Sequence, residues 1–281
     1  MKSNMNKTIL TIAFVFFGFA FCLAQQFIVA TYNVRYDAAG DVGNLWKDRH
    51  PHLVQLIKFH GFDIFGTQEG LKHQLEDMQK LLPGYAYIGV GRNDGKDGGE
   101  HAAIFYKVDK FEVIKQGNFW LAENTEIPNK GWDAALPRIC TWGLFKDKRT
   151  GFEFFLFNTH FDHVGVEARK ESARLIVKKA HELGSGIPMI ITGDFNVDQR
   201  NESYHVLNNG GEVTDAYELA PFKYAPSGTF NGFDITRTGD SRIDHIFLSK
   251  PFRVERYGIL TDSYQGKAPS DHFPVMAEVR Y

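Results

Sequence analysis

Cysteine is almost absent from this sequence, with Cys22 and Cys140 the two among 281 residues. Cys22 falls in a segment that reads as a leader, so Cys140 alone would remain in the mature chain and no internal disulfide could form. An exported protein without such staples is held by its apolar core, and a chain of this length can bury enough surface to do so. A basic excess is also lacking. With Lys2 and Lys7 set aside, 30 basic residues face 34 acidic ones, which is not the footprint of a protein that grips polyanionic nucleic acid nonspecifically. A local groove or a bound metal would still change the field near a site, so a nuclease is not excluded. No apolar stretch is long enough to span a bilayer, and no repeat, linker or low-complexity tract interrupts the chain. Neither a cysteine pair nor a cluster of histidines suggests zinc.

The apolar run at 9–21 (ILTIAFVFFGFAF) behind Lys2 and Lys7 is too short for a transmembrane helix and reads as a signal peptide. Cys22 and Ala24 give the small-x-small pattern of a leader-peptidase site, with cleavage after Ala24. Lipidation at Cys22 is the lesser alternative, because bulky Phe21 stands where a small residue is expected. The expected organisation is therefore a leader over 1–24 and a single domain over 25–281. The protein would be periplasmic or extracellular, without stable membrane insertion after cleavage, and monomeric.

Apolar runs and period-two alternation predict strands over 27–34, 63–67, 86–90, 102–106, 111–115, 139–145, 152–158, 189–192, 243–248 and 275–279. Helices are expected over 51–59, 72–82 and 167–183. The third has Ala168, Leu175, Ile176, Ala180 and Leu183 on one face and Gly184 placed to end it. So many strands with helices between them argue for sheet packed on sheet with helices outside. The glycine-rich stretch 91–100 (GRNDGKDGGE) reads as a flexible hairpin connection; no helix follows it, as a phosphate-cradling loop would require. The long polar stretch 198–242 lacks clear elements and suits a rim that touches ligand.

Function is written where strands end. TYNVR (31–35), TQEG (67–70), NTHFDH (158–163), TGDFN (192–196) and SDHFPV (270–275) each follow or adjoin an apolar strand, and RIDHIF (242–247) opens one. A single carboxylate or asparagine in such a place is most often a turn or a cap. Six such clusters in one chain instead assemble Asn33, Glu69, His160, Asp194, Asn196, Asp244, Asp271 and His272 along one edge of the sheets.

On these motifs the sequence resembles the endonuclease/exonuclease/phosphatase superfamily, which includes pancreatic-type deoxyribonucleases, neutral sphingomyelinases and deadenylase-like exoribonucleases. QE, GDFN and SDHFPV are its specific parts, and NTHFDHVG and GTFNGF are most similar to its exported bacterial branch. The resemblance implies an α/β four-layer sandwich: two mixed, mainly antiparallel β-sheets face to face, with helices on both outer faces. It also implies a metal-dependent hydrolase of phosphate esters.

Hydrolysis of a phosphoester needs an in-line water, neutralisation of phosphoryl charge and help for the leaving oxygen. Hard oxygen donors suit Mg²⁺ or Mn²⁺, and Glu69 with Asn33 supplies them, with Asp271 able to join. His272 is the first candidate for general base, and the resemblance gives it Asp244 as its orienting carboxylate. Asp194 and Asn196 hold the attacking water or transition-state oxygens by the same resemblance, with Asp194 the alternative base. His160 suits a hydrogen bond to phosphate or protonation of the leaving group, with Glu100 as its orienting partner. Arg138 is a candidate phosphate clamp, and Phe233, Phe230 and Trp46 are candidates for stacking on a base or sugar. The substrate is thus expected to be a phosphodiester or phosphomonoester. Single-stranded nucleic acid is the alternative, and a catalytically idle binding module is a third reading.

Overall fold

The computed structural model describes residues 25–281; the expected leader lies outside the described residues. Along the chain run β1 (Gln26–Asn33), α1 (Trp46–Phe59), β2 (Ile64–Gln68), α2 (Lys72–Leu81), β3 (Tyr85–Ile88), β4 (Ile104–Lys107), β5 (Phe111–Trp120), β6 (Ile139–Asp147) and β7 (Glu153–His160). They are followed by α3 (Val166–Gly184), β8 (Met189–Asp194), α4 (Glu202–Asn208), β9 (Thr214–Asp215), α5 (Ala216–Leu219), β10 (Phe222–Tyr224), β11 (Asp244–Leu248), β12 (Arg253–Ile259) and β13 (Val275–Arg280). One sheet has seven strands in the order β10-β12-β13-β1-β2-β4-β3, the other six in the order β5-β6-β7-β8-β11-β9. Three neighbouring pairs, β1/β2, β10/β12 and β7/β8, are parallel, and the rest are antiparallel. Among the described residues no helix is long and apolar enough to cross a membrane.

Alternation along the strands divides the core into three layers. Phe27, Val29, Ile64, Ile104, Phe154, Leu156, Ile190, Ile246, Val275 and Ala277 fill the space between the sheets. The residues that alternate with them point the other way. Ala30, Tyr32, Phe65 and Phe105 meet Leu53, Ile57, Leu75 and Met78 of α1 and α2, while Phe155, Phe157, Ile191 and Phe247 meet Ile176, Ala180 and Leu207 of α3 and α4. Strands with both faces apolar must be covered on both, and the helices do so, giving the four layers expected.

One polar group crosses the middle layer. Asn158 of β7 is fully buried; its amide donates to the carbonyls of Thr67 (2.8 Å) and Ala103 (2.9 Å) in the opposite sheet. Its Oδ1 accepts from Gln68 Nε2 (2.7 Å) and Thr192 Oγ (3.0 Å), and Gln68 also donates to Thr31 Oγ (3.0 Å). Gly66 leaves the room: a Cβ there would lie 2.0 Å from Asn158 Oδ1.

The structure departs from the sequence expectations where local irregularity hides the period. β12 was not expected, and β5 runs on to Trp120; both carry a register shift, at Val254/Arg256 and Val113/Lys115, which breaks the alternation. α1 begins at Trp46, so Pro51 stands inside the helix and not at its first position. The stretch 198–242 contains α4, β9, α5 and β10, all short. The glycine-rich connection joins the antiparallel pair β3/β4, as a hairpin should, but it is tightly bonded internally. Gly91, Arg92 and Asn93 donate to Lys96, Glu100 and Gly98 carbonyls, and Trp120 Nε1 donates to the Arg92 carbonyl at 2.8 Å.

Replacing Asn158 by Leu would strand several buried donors and acceptors, each costing about 1–3 kcal/mol. We expect a loss of more than about 3 kcal/mol in urea unfolding, and a comparable failure for Gly66→Ala. A change below about 1 kcal/mol in both would show that the amide is not what joins the sheets.

Candidate active site

Register brings the polar strand ends together. In the six-stranded sheet, His160 at the end of β7 pairs with Asp194 at the end of β8, which pairs in turn with Asp244 at the start of β11. The other sheet sets Asn33 beside Gln68, one residue before Glu69. The turn before β13 delivers Asp271 and His272. Ser270 fastens that turn to β1 by donating from Oγ to the Asn33 carbonyl at 2.7 Å. The buried guanidinium of Arg49 ties the same parts from below, donating to the carbonyls of Val34 (2.5 Å), Arg35 (2.6 Å), Asn44 (3.1 Å) and Pro269 (3.3 Å). Three non-glycine residues at the site, Arg35 (φ 56°), Glu69 (φ 64°) and Asn196 (φ 52°), have left-handed backbones. Such strain persists only where surrounding contacts hold it.

At the centre, His272 Nδ1 lies 2.9 Å from Asp244 Oδ2, and its Nε2 lies 3.7 Å from Asp194 Oδ2. Asn33 Nδ2 donates to both Asp194 Oδ2 and Glu69 Oε1 at 3.0 Å. His160 Nε2 approaches Asp194 Oδ2 at 3.5 Å, while the Asn196 amide donates to Asp194 Oδ1 and its side chain to the Phe161 carbonyl, both at 2.9 Å. Burial and the charge of Asp244 push Asp194 up to about 7. Burial disfavours charge on His272, but Asp244 and Asp194 outweigh it and hold the imidazole well above its ordinary value. His160 is driven well below the histidine range by burial and by Arg138 and Arg92.

Two groups have the chemistry to hold a divalent cation. Glu69 and Asp271 both line the cavity with Arg35 3.8 Å from each, and burial, with the charge of Glu69, raises Asp271; such oxygen donors suit a hard dication. Asp194, Asp244 and His272 also have donor atoms within 4.8 Å of one another. His272 Nδ1 is already engaged by Asp244, and Asn33 engages both Asp194 and Glu69; Glu69 and Asp271 offer oxygen donors alone, the kind a hard ion takes.

The site opens on a cavity of about 570 Å³. Of the residues expected at the site, Glu69, Glu100, Arg138, His160, Asp194, Asn196, Asp271 and His272 line it, with Asn33 and Asp244 bonded directly behind. Some expectations are corrected. Glu100 is not bonded to His160, whose Nδ1 is 3.8 Å away, because the fork of Arg92 takes both its oxygens at 2.7 Å. Trp46 is buried at the start of α1 and donates to Asp77. Phe233 lies off the cavity near Arg49, and Phe230 lines it instead, edge-to-face with His272 at 5.1 Å. Arg35, Arg92 and His163 line the cavity without having been singled out. Arg35 and His163 stand inside motifs already quoted, and Arg92 was findable as the nearest cation to Glu100.

The rim beside Arg138 hangs on Asp162. This buried carboxylate accepts from the amides of Ala135, Leu136, Val164 and Gly165 and from Arg138 Nε at 3.3 Å. Burial alone would raise its pKa; the amides and Arg138 prevail and hold it well below the carboxylate range. Its stabilisation is therefore complete above the ordinary carboxylate pKa, about 4, and is lost as pH falls toward the depressed folded value. Asp162→Asn should lower Tm at pH 7 and flatten the fall of Tm below about pH 4. An unchanged acid limb would show that Asp162 does not carry it.

Over residues 30–272 the chain matches the Endonuclease/Exonuclease/phosphatase family. Among solved structures it is similar to a mannosyl-6-phosphatase of Bacteroides thetaiotaomicron, 53% identical with a TM-score of 0.89, over 91% of this chain and 100% of that one. A second family protein from the same organism is 52% identical, with a TM-score of 0.90 over 92% and 96%. Human nocturnin is 24% identical over 84% of this chain, which spans 58% of nocturnin's length. The protein is a member of the endonuclease/exonuclease/phosphatase family, and with it a phosphoric ester hydrolase.

Proposed function

We propose that this protein is an exported phosphomonoesterase, dependent on Mg²⁺ or Mn²⁺, that removes phosphate from a sugar phosphate of the mannose 6-phosphate kind. The observation that carries the reading is the charge balance of a small-molecule-sized cavity. Each arginine lining it has its own acid: Arg35 has Asp41, Arg92 has Glu100 and Arg138 has Asp162. A groove for a polyanionic chain would present unpaired cations. Support for a sugar comes from the 53% identical mannosyl-6-phosphatase; support for the rival nuclease comes from the more distant nocturnin.

Glu69, with Asn33 and Asp271, would hold the metal ion, which would neutralise charge on the phosphoryl oxygens. Asp194 is favoured over His272 as base. Burial and Asp244 raise its carboxylate to about 7, whereas Asp244, bonded to Nδ1, and Asp194 raise the imidazole of His272 and favour its charged form. Asp194 then takes the proton of the attacking water, and the two groups titrate as a coupled pair. His272 remains an imidazolium braced by Asp244 and donates from Nε2 to a phosphoryl oxygen. Asn196, pinned through Phe161 and Asp194, orients the water, and His160, neutral, hydrogen-bonds the phosphate from Nε2.

Phosphate release from mannose 6-phosphate should require Mg²⁺ or Mn²⁺ and stop on chelation. Asp194→Asn should lower kcat about 10²–10⁴-fold. Since the ionised base is the active form, log kcat/KM should rise with pH through about 7. Shortening of RNA or single-stranded DNA without release from any sugar phosphate would replace this reading by the nuclease. Export adds its own test: protein recovered outside the cytoplasm should begin at Gln25, and a lipid-bearing amino terminus at Cys22 would contradict cleavage after Ala24.

A further inference from the structure

The proposed reaction uses the metal ligands, Asp194, Asn196, His160 and the His272/Asp244 pair; it leaves the Arg92–Glu100 pair on the cavity wall without a task. A purely structural ion pair would sit poorly there. Both side chains line the cavity, Arg92 is only 9% exposed, and burial raises Glu100 and so works against its charge. The loop bearing them is built to hold them still. Arg92 and Glu100 are bonded backbone to backbone at 3.0 Å, and the indole of Trp120 fixes the Arg92 carbonyl.

Two bonds of 2.7 Å join the side chains and leave much unused. Each Glu100 oxygen keeps a lone pair and each terminal nitrogen of Arg92 keeps an N–H, while Arg92 Nε is buried away from the cavity. Beside them Arg138, held by Asp162 and His163, lines the same wall. Acceptors and donors thus stand side by side on a rigid wall whose ion pair is neutral as a unit. A hydroxyl both donates and accepts, so adjacent hydroxyls match such a surface. A second phosphate would find one of its two partners repulsive.

The cavity's aromatic side chains do not favour a base. Arg35 covers one face of Tyr36 at 4.3 Å, and Arg237 covers one face of Phe230 at 4.8 Å, while the Phe230 ring is also packed against His272. Neither ring offers the open platform that stacking on single-stranded nucleic acid uses.

We propose that Arg92 and Glu100, flanked by Arg138, form the subsite that reads the hydroxyls of the sugar carrying the phosphate, and so set the specificity of the enzyme for a pyranose phosphate. The proposal rests on the phosphomonoesterase reading above. It is tested with Arg92→Lys, Arg92→Met and Glu100→Gln on two substrates: mannose 6-phosphate, and p-nitrophenyl phosphate, which has no hydroxyls. The ratio of kcat/KM between the two should fall about 10–100-fold in Arg92→Met and Glu100→Gln, the loss expected when charge-assisted hydrogen bonds to substrate disappear. Deoxy analogues of mannose 6-phosphate add a readout that damaged folding would not move. At least one missing hydroxyl should cost the wild type tenfold or more, and that penalty should shrink to about threefold or less in Glu100→Gln. Equal loss on both substrates, with the deoxy penalties intact, would overturn the subsite and leave the phosphatase standing. A wild-type enzyme that cleaves p-nitrophenyl phosphate and no hexose phosphate would overturn both.

Discussion

Everything at the site depends on two sheets meeting in one relative position, and a single carboxamide enforces it. An interface of phenylalanines, isoleucines and valines is tolerant of sliding, since apolar contact has little direction. Asn158 is not tolerant. It reaches across to two carbonyls of the opposite sheet and accepts from Gln68, so any shift leaves polar atoms in a dry layer without partners. Gln68 stands next to Glu69, and Asn158 two residues before His160. The same bonds that lock the sheets therefore set the distance between a proposed metal ligand and a proposed phosphate ligand.

Around that fixed frame the site stores charge in a way that a solvent-exposed cluster could not. Asp194 is surrounded by two imidazoles, the Asn33 amide and a second carboxylate, and burial makes each of these influences large. Turning the backbone left-handed at Arg35, Glu69 and Asn196 costs energy, and the neighbouring clamps supply it: Arg49 grips the carbonyls of Val34 and Arg35, and Asn196 is tied at both ends. The pairing of every cavity arginine with an acid keeps the field local to the reacting phosphate.

Most of this frame was legible in the sequence, because its informative residues cluster in short motifs at strand ends and a strand end is where register acts. The motifs named Asn33, Glu69, His160, Asp194, Asn196, Asp244, Asp271 and His272, and the sheets bring these together. What escaped was pairing between motifs. Glu100 seemed available to His160 because nothing local announces that Arg92 will close on it across a folded loop. Trp46 read as a rim aromatic because α1 was expected to start at Pro51; once the helix begins five residues earlier, its first side chain turns into the core. β12 was missed for a related reason, since a bulge moves its inward residues out of step with a period of two.

The seven-stranded sheet closes through its middle. β13 lies between β12 and β1, so Gln26 pairs with Arg280 and the earliest described strand waits for the last. A chain that ended at residue 200 would hold three of the five helices, Asn33, Glu69 and the His160 imidazole, yet would lack Asp244, Asp271, His272 and the strand β13. Asp244, Asp271 and His272 therefore join Asn33, Glu69 and His160 only when β11 and β13 take their places in the two sheets.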